Sequence, residues 1–254
     1  MKPNQENFEQ WNEELAEKHD LDKFYNHPNF AFRYIEQKRI NKLIELAEIK
    51  DSDKVMEVGC GAGHILEKIK KGKLYGTDIS DIQIKRSRER LGDRVELKKA
   101  PGEELPYEDK FFDKILCSEV IEHVLDPRAV LKEMARVLKD DGILSLSIPN
   151  EDVINSTKRF LKKTGLIKLI DNKKDTEGWE LAAKDNLDEW HLHSFSLELA
   201  DKFANGIFHK SKVVKIPNFL FPARYVIQYK KLLDERQSFL HHIWRRRIHR
   251  FTSL

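Results

Sequence analysis

Seven short apolar runs punctuate the chain, and stretches of helical period separate most of them. Val55 to Val58, Leu74 to Asp78, Arg94 to Leu97, Asp113 to Ser118 and Ile143 to Ile148 read as five short strands. Ser211 to Ile216 and Arg224 to Tyr229 read as two final strands, joined through Pro217 and Pro222. From Phe30 to Ile49, the residues Tyr34, Ile35, Ile40, Leu43, Ile44 and Ala47 recur at three- and four-residue steps, which predicts a strong helix. Asp81 to Arg90 reads as a helix with Ile82 and Ile84 inward. Pro127 suits the first turn of a helix that runs to Leu138. Strands alternating with helices predict an α/β fold, a mostly parallel sheet covered on both faces.

The flanks read differently. Residues 1–50 form a helical preface, broken at His27-Pro28-Asn29. Residues 151–195 form an insertion before the sixth strand, with two lysine-rich helical pieces around the polar stretch Asp171 to Gly178. Residues 196–254 hold the last strands and a basic C-terminal helix, with Ser196 as a plausible N-cap for the helix that opens this part. One domain is the expectation for 254 residues of this pattern.

Charge narrows the partners. The chain is 35% charged yet nearly balanced at +3, which argues against a strongly basic nucleic-acid binder and leaves room for a local basic patch. Cys60 and Cys117 are too few for a disulfide framework and suit a reducing compartment. No apolar run approaches the roughly 18 residues of a membrane span, and the N-terminus is polar, so a soluble cytoplasmic protein without a signal peptide is expected.

The chemistry starts at Val55-Met-Glu57-Val-Gly59-Cys-Gly61-Ala-Gly63, a buried strand that runs into a glycine-rich turn and then a helix. Glycine lets a ligand approach the backbone, and the helix start offers unpaired N–H groups. A dinucleotide fingerprint needs G-x-G-x-x-G. Here the third glycine falls one residue early, and His64 takes the dinucleotide position. Asp78 closes the second strand and is placed to hold two ribose hydroxyls, a role an acid there serves equally for NAD.

Further segments choose between ligands. Together with Glu57-Val-Gly-Cys-Gly-Ala-Gly63, they are Tyr75-Gly-Thr-Asp-Ile-Ser80, Glu104-Leu-Pro-Tyr107 with Phe111-Phe-Asp113, Ser118-Glu-Val-Ile-Glu-His-Val124 with Asp126-Pro127, and Leu131-Lys-Glu-Met-Ala-Arg-Val-Leu-Lys139 before Gly142. In this order, over roughly residues 50–150, the chain resembles the class I S-adenosylmethionine (SAM) methyltransferases, in the small-molecule branch that includes ubiquinone-pathway O-methyltransferases. The resemblance implies a Rossmann-like, doubly wound, seven-stranded sheet with a reversed last strand. It implies that Glu57, Gly59, Gly61 and Gly63 line the methionine and ribose of SAM, and that Asp78 takes the ribose diol. Ile79 would pack on adenine, Gly102 and Glu103 would meet its edge, and the backbone of Cys117 and Ser118 would face the methionine. Many relatives place an aspartate where this chain has Pro101, so that adenine contact passes to backbone or to Glu103.

Glu119, Glu122 and His123 would share a face if they lie on a helical turn. There they are placed to activate a hydroxyl or to hold a hard divalent metal, and His191 or His193 would complete the set. Some ubiquinone-type O-methyltransferases and the small-RNA 3′-end methyltransferases resemble this E-x-x-E-H arrangement with a metal. The favoured expectation is no metal, with His123 as base and His191 or His193 second. The preface and insertion would form the acceptor pocket. In the tail, Leu240, Trp244, Ile248 and Phe251 form a stripe among Arg245, Arg246, Arg247 and Arg250. Self-packing or self-association is its favoured use, and weak contact with an anionic membrane surface is the other. The function expected is methyl transfer from SAM to a small-molecule acceptor at oxygen, with no nucleic-acid partner. The rivals are a metal-dependent RNA 2′-O-methyltransferase, an NAD-dependent oxidoreductase and a catalytically silent SAM-binding protein.

Overall fold

The structure, a computed structural model, describes residues 3–19, 21–164, 191–218 and 220–232. The stretch Asp171 to Gly178 and the basic C-terminal helix lie outside the described residues. The chain in order is α1 (Phe8–Lys18), α2 (Leu21–Tyr25), α3 (Phe30–Ala47), β1 (Lys54–Val58), α4 (His64–Lys68), β2 (Lys73–Asp78) and α5 (Asp81–Leu91). It continues through β3 (Val95–Lys99), β4 (Phe112–Ser118), α6 (Pro127–Val137), β5 (Leu138–Pro149), α7 (Glu151–Thr164), α8 (Leu197–Ala204), β6 (Phe208–Pro217) and β7 (Pro222–Lys231).

The strands form one seven-stranded sheet in the order β3-β2-β1-β4-β5-β7-β6. The pairs among β1 to β5 are parallel, and β7 runs antiparallel to both β5 and β6. The expected Rossmann-like sheet with its reversed last strand is therefore present. Side-chain alternation divides the core between the two faces. Met56, Tyr75, Ile115 and Cys117 pack with Val130, Leu131 and Met134 of α6 and Ala200 of α8. Val55, Leu74 and Leu116 pack with Ile40 and Leu43 of α3, Leu66 of α4 and Ile84 of α5.

Local signals place the helices. Asp126 caps α6, accepting from the N–H groups of Arg128 and Ala129, and Pro127 is the first helical residue. Asn29 accepts from Phe32 N–H at the start of α3, and Ser80 from Gln83 N–H at the start of α5. Each such cap contributes about 1 kcal/mol and, more usefully here, fixes where the preceding loop ends. In this way β1, β2 and β4 deliver their C-terminal loops to one edge of the sheet. No helix among the described residues is long and apolar enough to cross a membrane.

Candidate functional site

At the end of β1 the chain turns through Gly59 (φ 67°), Gly61 (φ 51°) and Gly63 (φ 82°), all left-handed. Gly59 has no room for a side chain, since a Cβ would lie 2.4 Å from Val120 in the turn after β4. Gly63 passes into α4, whose first residue, His64, is buried. The turn is tied to the next strand by Asp78. One carboxylate oxygen of Asp78 accepts from Gly61 N–H (2.8 Å) and the other from Ser80 N–H (3.0 Å). Burial raises the Asp78 carboxyl above its ordinary range, and those two N–H groups oppose the rise. A carboxylate has about four acceptor positions, so acceptor capacity remains for hydroxyl donors.

The other residues implied for the cofactor surround this turn. Ala100 N–H donates to the Asp78 carbonyl (2.9 Å), which holds the loop after β3 beside the end of β2. In that loop Gly102 lies close to Val130 and Val58, and burial raises the half-buried Glu103 carboxyl. Ile79 is partly exposed beside Asp78. Cys117 and Cys60 are buried, and burial pushes both thiols well up, which suits small space-filling residues and not nucleophiles.

Glu57, on β1, is 1% exposed, and its Oε2 has no hydrogen-bond partner. Burial holds its carboxyl well above the usual 4.5, Arg39 opposes that, and Asp78 adds to it. The folded chain thus keeps a proton that the unfolded chain releases. Stability falls as the pH rises from the unfolded value towards the folded one, by about 1.4 kcal/mol per pH unit in that interval. Glu57→Gln removes this titration. By calorimetry, the melting temperature of the variant relative to the wild type is expected to rise between pH 5 and pH 8. A difference that stays constant across that range refutes the assignment to Glu57.

A buried ionic chain, absent from the expectations above, backs the same edge. Arg39 on α3 is bonded through Nε to Glu36 (2.9 Å) and through Nη1 to the hydroxyls of Ser118 and Ser147. Arg224 on β7 pairs with Glu119 (2.9 Å) and lies 3.6 Å from Glu36. The signal was present in the sequence as charges at inward positions of α3, whose buried residues include Glu36, Arg39, Ile40 and Leu43.

The segment after β4 is a turn and not a helix, and Glu119 takes a left-handed φ of 53°. The expected sharing of a face by Glu119, Glu122 and His123 is therefore corrected. Glu119 goes to Arg224 and also accepts from the Ser147 hydroxyl (3.1 Å). Glu122 and His123 instead meet His191, with one ligand atom of each lying within 4.8 Å of the others. The His123 and His191 rings are edge to face at 4.8 Å. Glu122 is fully buried with neither carboxylate oxygen hydrogen-bonded, and burial, then the Glu119 charge, holds its carboxyl well above the usual range. His193 stands apart, its Nε2 bonded to the Val124 carbonyl (3.0 Å) and its ring beside Phe195 and Phe203.

In the preface, α1 and α2 strap the glycine turn and the start of α5. The Glu13 carboxylate accepts from the Ser80 hydroxyl (2.7 Å) and from the N–H groups of Asp81 and Ile82 at the start of α5. Leu21 covers Gly61, where a Cβ would stand 2.8 Å from its Cδ1. Asp22 pairs with His64 (2.9 Å) and Arg90, and Arg90 also donates to the Ala62 carbonyl (2.9 Å). From the insertion, the first residue of α7, Glu151, reaches the group formed by Glu122, His123 and His191. It binds His191 Nδ1 at 2.6 Å.

The sequence profile of the methyltransferase-domain family matches residues 56–146. A ubiquinone biosynthesis O-methyltransferase of Nitrosomonas europaea is 30% identical over 134 residues, which are 49% of this chain and 57% of that protein. The Bacillus subtilis protein YrhH, named as a methyltransferase, is 30% identical over 128 residues, 47% of this chain and 71% of its own. The chain spans about half the length of the curated relatives it matches. Among solved structures, the N-methyltransferase NodS of Bradyrhizobium japonicum, in complex with S-adenosyl-L-homocysteine, has a TM-score of 0.59 at 15% identity. The match covers 87% of this chain and 98% of that one, and shows the shared fold.

Proposed function

Because the chain belongs to the class I SAM-dependent methyltransferases, we propose that it transfers a methyl group from SAM to an oxygen of a small-molecule acceptor. The observation that carries the choice of oxygen is the pair of imidazoles, His123 and His191, held 4.8 Å apart beside the end of β4. A hydroxyl must lose a proton as it attacks, and a neutral imidazole accepts one at physiological pH.

The residues present fit SAM. The glycine turn gives close backbone approach at Gly59, and Asp78 keeps acceptor capacity for the ribose diol. The same turn suits a dinucleotide poorly. Gly61 N–H is already taken by the Asp78 carboxylate, so that N–H is not offered to a pyrophosphate and the carboxylate stands next to it. A sulfonium and an ammonium are better served by acidic surroundings. When bound, SAM supplies an electrophilic methyl group on sulfur, so the protein has only to orient and to manage the proton.

Residue by residue, Asp78 holds the nucleoside end, and Gly59, Gly61 and Gly63 shape the floor. Ile79, Gly102 and Glu103 border the adenine. The backbone of Cys117 and Ser118 faces the methionine, and Arg39 adds positive charge next to Ser118. The strap from α1 and α2 shields the cofactor turns from water. His123 or His191 takes the acceptor proton, while Glu122, held neutral, adds no charge of its own between them.

A second reading shares the site. Glu122, His123 and His191 form a mixed oxygen and nitrogen donor set that fits a divalent cation. In that reading Glu122, His123 and His191 would hold the cation, which would supply Lewis-acid lowering of the acceptor hydroxyl's pKa in place of a base. One experiment separates the readings. The protein is incubated with methyl-labelled SAM and a panel of phenols, amines and carbon acids, with and without a chelator. Label on a phenol oxygen that survives chelation is expected. Label confined to nitrogen or carbon overturns the choice of oxygen. Activity lost to chelator and restored by magnesium or manganese moves the site to the metal reading. Bound SAM with no transfer to any class supports a silent binding protein.

A further inference from the structure

Glu151 takes no part in the cofactor turns and belongs to no motif in the sequence. It is nevertheless held by two side chains beside the His123–His191 pair. It is 6% exposed and begins α7, where the positive end of the helix dipole favours an ionised carboxylate. One of its oxygens receives the Ser194 hydroxyl proton, and the other lies 2.6 Å from His191 Nδ1. Its own N–H donates to the Phe195 carbonyl (3.4 Å).

The segment that carries His191 is pinned just as closely. The N–H groups of Leu192 and His193 both donate to the Glu122 carbonyl, at 2.8 and 3.2 Å. His193 Nε2 donates to the Val124 carbonyl. Residues 191–195 therefore run along the turn after β4, and the His191 ring is fixed between that turn and α7. The clamp sets a buried carboxylate directly behind the ring.

We propose that Glu151 is a positioning residue of the acceptor site that fixes the His191 imidazole as its Nδ1–H tautomer and so leaves Nε2 as the free lone pair. An ionised carboxylate can only accept, so the proton of this short bond belongs to Nδ1. A neutral imidazole with its proton on Nδ1 has its lone pair on Nε2. Free imidazole side chains populate both tautomers, and without Glu151 the ring would also be free to turn. Ser194 orients the carboxylate, and His191 acts on the acceptor. The inference rests on the reading of His191 as an acceptor-site group, yet the tautomer can be measured whether or not a methyl group is ever transferred.

The test is long-range proton–nitrogen correlation on the full chain with ¹⁵N-labelled histidine, at neutral pH and without added metal. The His191 signals are assigned by their loss in His191→Asn. The wild type is expected to show His191 protonated on Nδ1 alone. A ring protonated on Nε2, or on both nitrogens, overturns the proposal without any variant. Glu151→Ala, which removes the acceptor, is then expected to shift His191 towards the Nε2–H form, with SAM affinity unchanged by calorimetry. Glu151→Gln keeps an accepting amide oxygen and should retain the Nδ1–H form, as should Ser194→Ala. An unchanged His191 spectrum in folded Glu151→Ala also overturns the assignment. If SAM binds normally and the tautomer is as stated but no acceptor is ever methylated, the proposed activity fails while the role of Glu151 stands.

Discussion

Asp78→Ala is expected to weaken SAM binding tenfold or more, with the fold retained. The ribose diol would lose two bonds to a charged acceptor, each worth roughly 1.5–3 kcal/mol. The loss extends beyond the ligand. Asp78 also holds Gly61 N–H and Ser80 N–H, so its removal loosens the glycine turn and the entry to α5 together. The strand itself is not at risk, because β2 stays paired on both sides with β1 and β3. Calorimetric titration with SAM reads the first effect, and circular dichroism checks the second. Asp78→Asn makes the test sharper. An amide keeps the shape but presents donors to groups that need an acceptor, so it too is expected to bind SAM weakly. Unchanged affinity in both variants would falsify the ribose assignment.

How far this site could be read from sequence depends on how local each part is. The glycine turn and Asp78 are close in the chain, and the strand–turn–helix pattern that fixes them is short-range. The elements were legible for the same reason. α6 was foreseen from Pro127, and β6 and β7 from runs flanking Pro217 and Pro222. The acceptor cluster was only half legible. The helical spacing of Glu119, Glu122 and His123 assumed a helix, and the left-handed backbone at Glu119 breaks that periodicity at its first residue. The side chain then meets Arg224, on a strand added late in the chain. No local pattern announces such a pair. His191 and His193 were equivalent in sequence. What separates them is that Glu151 faces one and the Val124 carbonyl the other. The preface carried no such local signal for where it packs: Glu13 and Leu21 hold it against the glycine turn and the start of α5, where the Glu13 carboxylate meets the N–H groups of Asp81 and Ile82 that the Ser80 cap leaves over.

Arg39→Met is expected to destabilise the fold by about 3–5 kcal/mol, the usual cost of stranding one partner of a buried ion pair. Arg39 is 1% exposed and Glu36 is 2% exposed, so water cannot replace the lost partner. The loss would also free the hydroxyls of Ser118 and Ser147 and leave Arg224 as the remaining cation near Glu36. For a chain of this size that is a fall in melting temperature of roughly 2–4 °C per kcal/mol. The second change decides the cause. If the penalty is the stranded charge, Glu36→Gln in the Arg39→Met background should recover part of it. If the penalty is lost packing along the arginine stem, the double variant should be no more stable than the single one. Urea denaturation of the four proteins in the cycle separates these outcomes. Arg39→Lys is a stricter comparison and is expected to fail as well. The guanidinium reaches Glu36 with Nε and two serine hydroxyls with Nη1, and a single ammonium has no second arm for the far side of that fork.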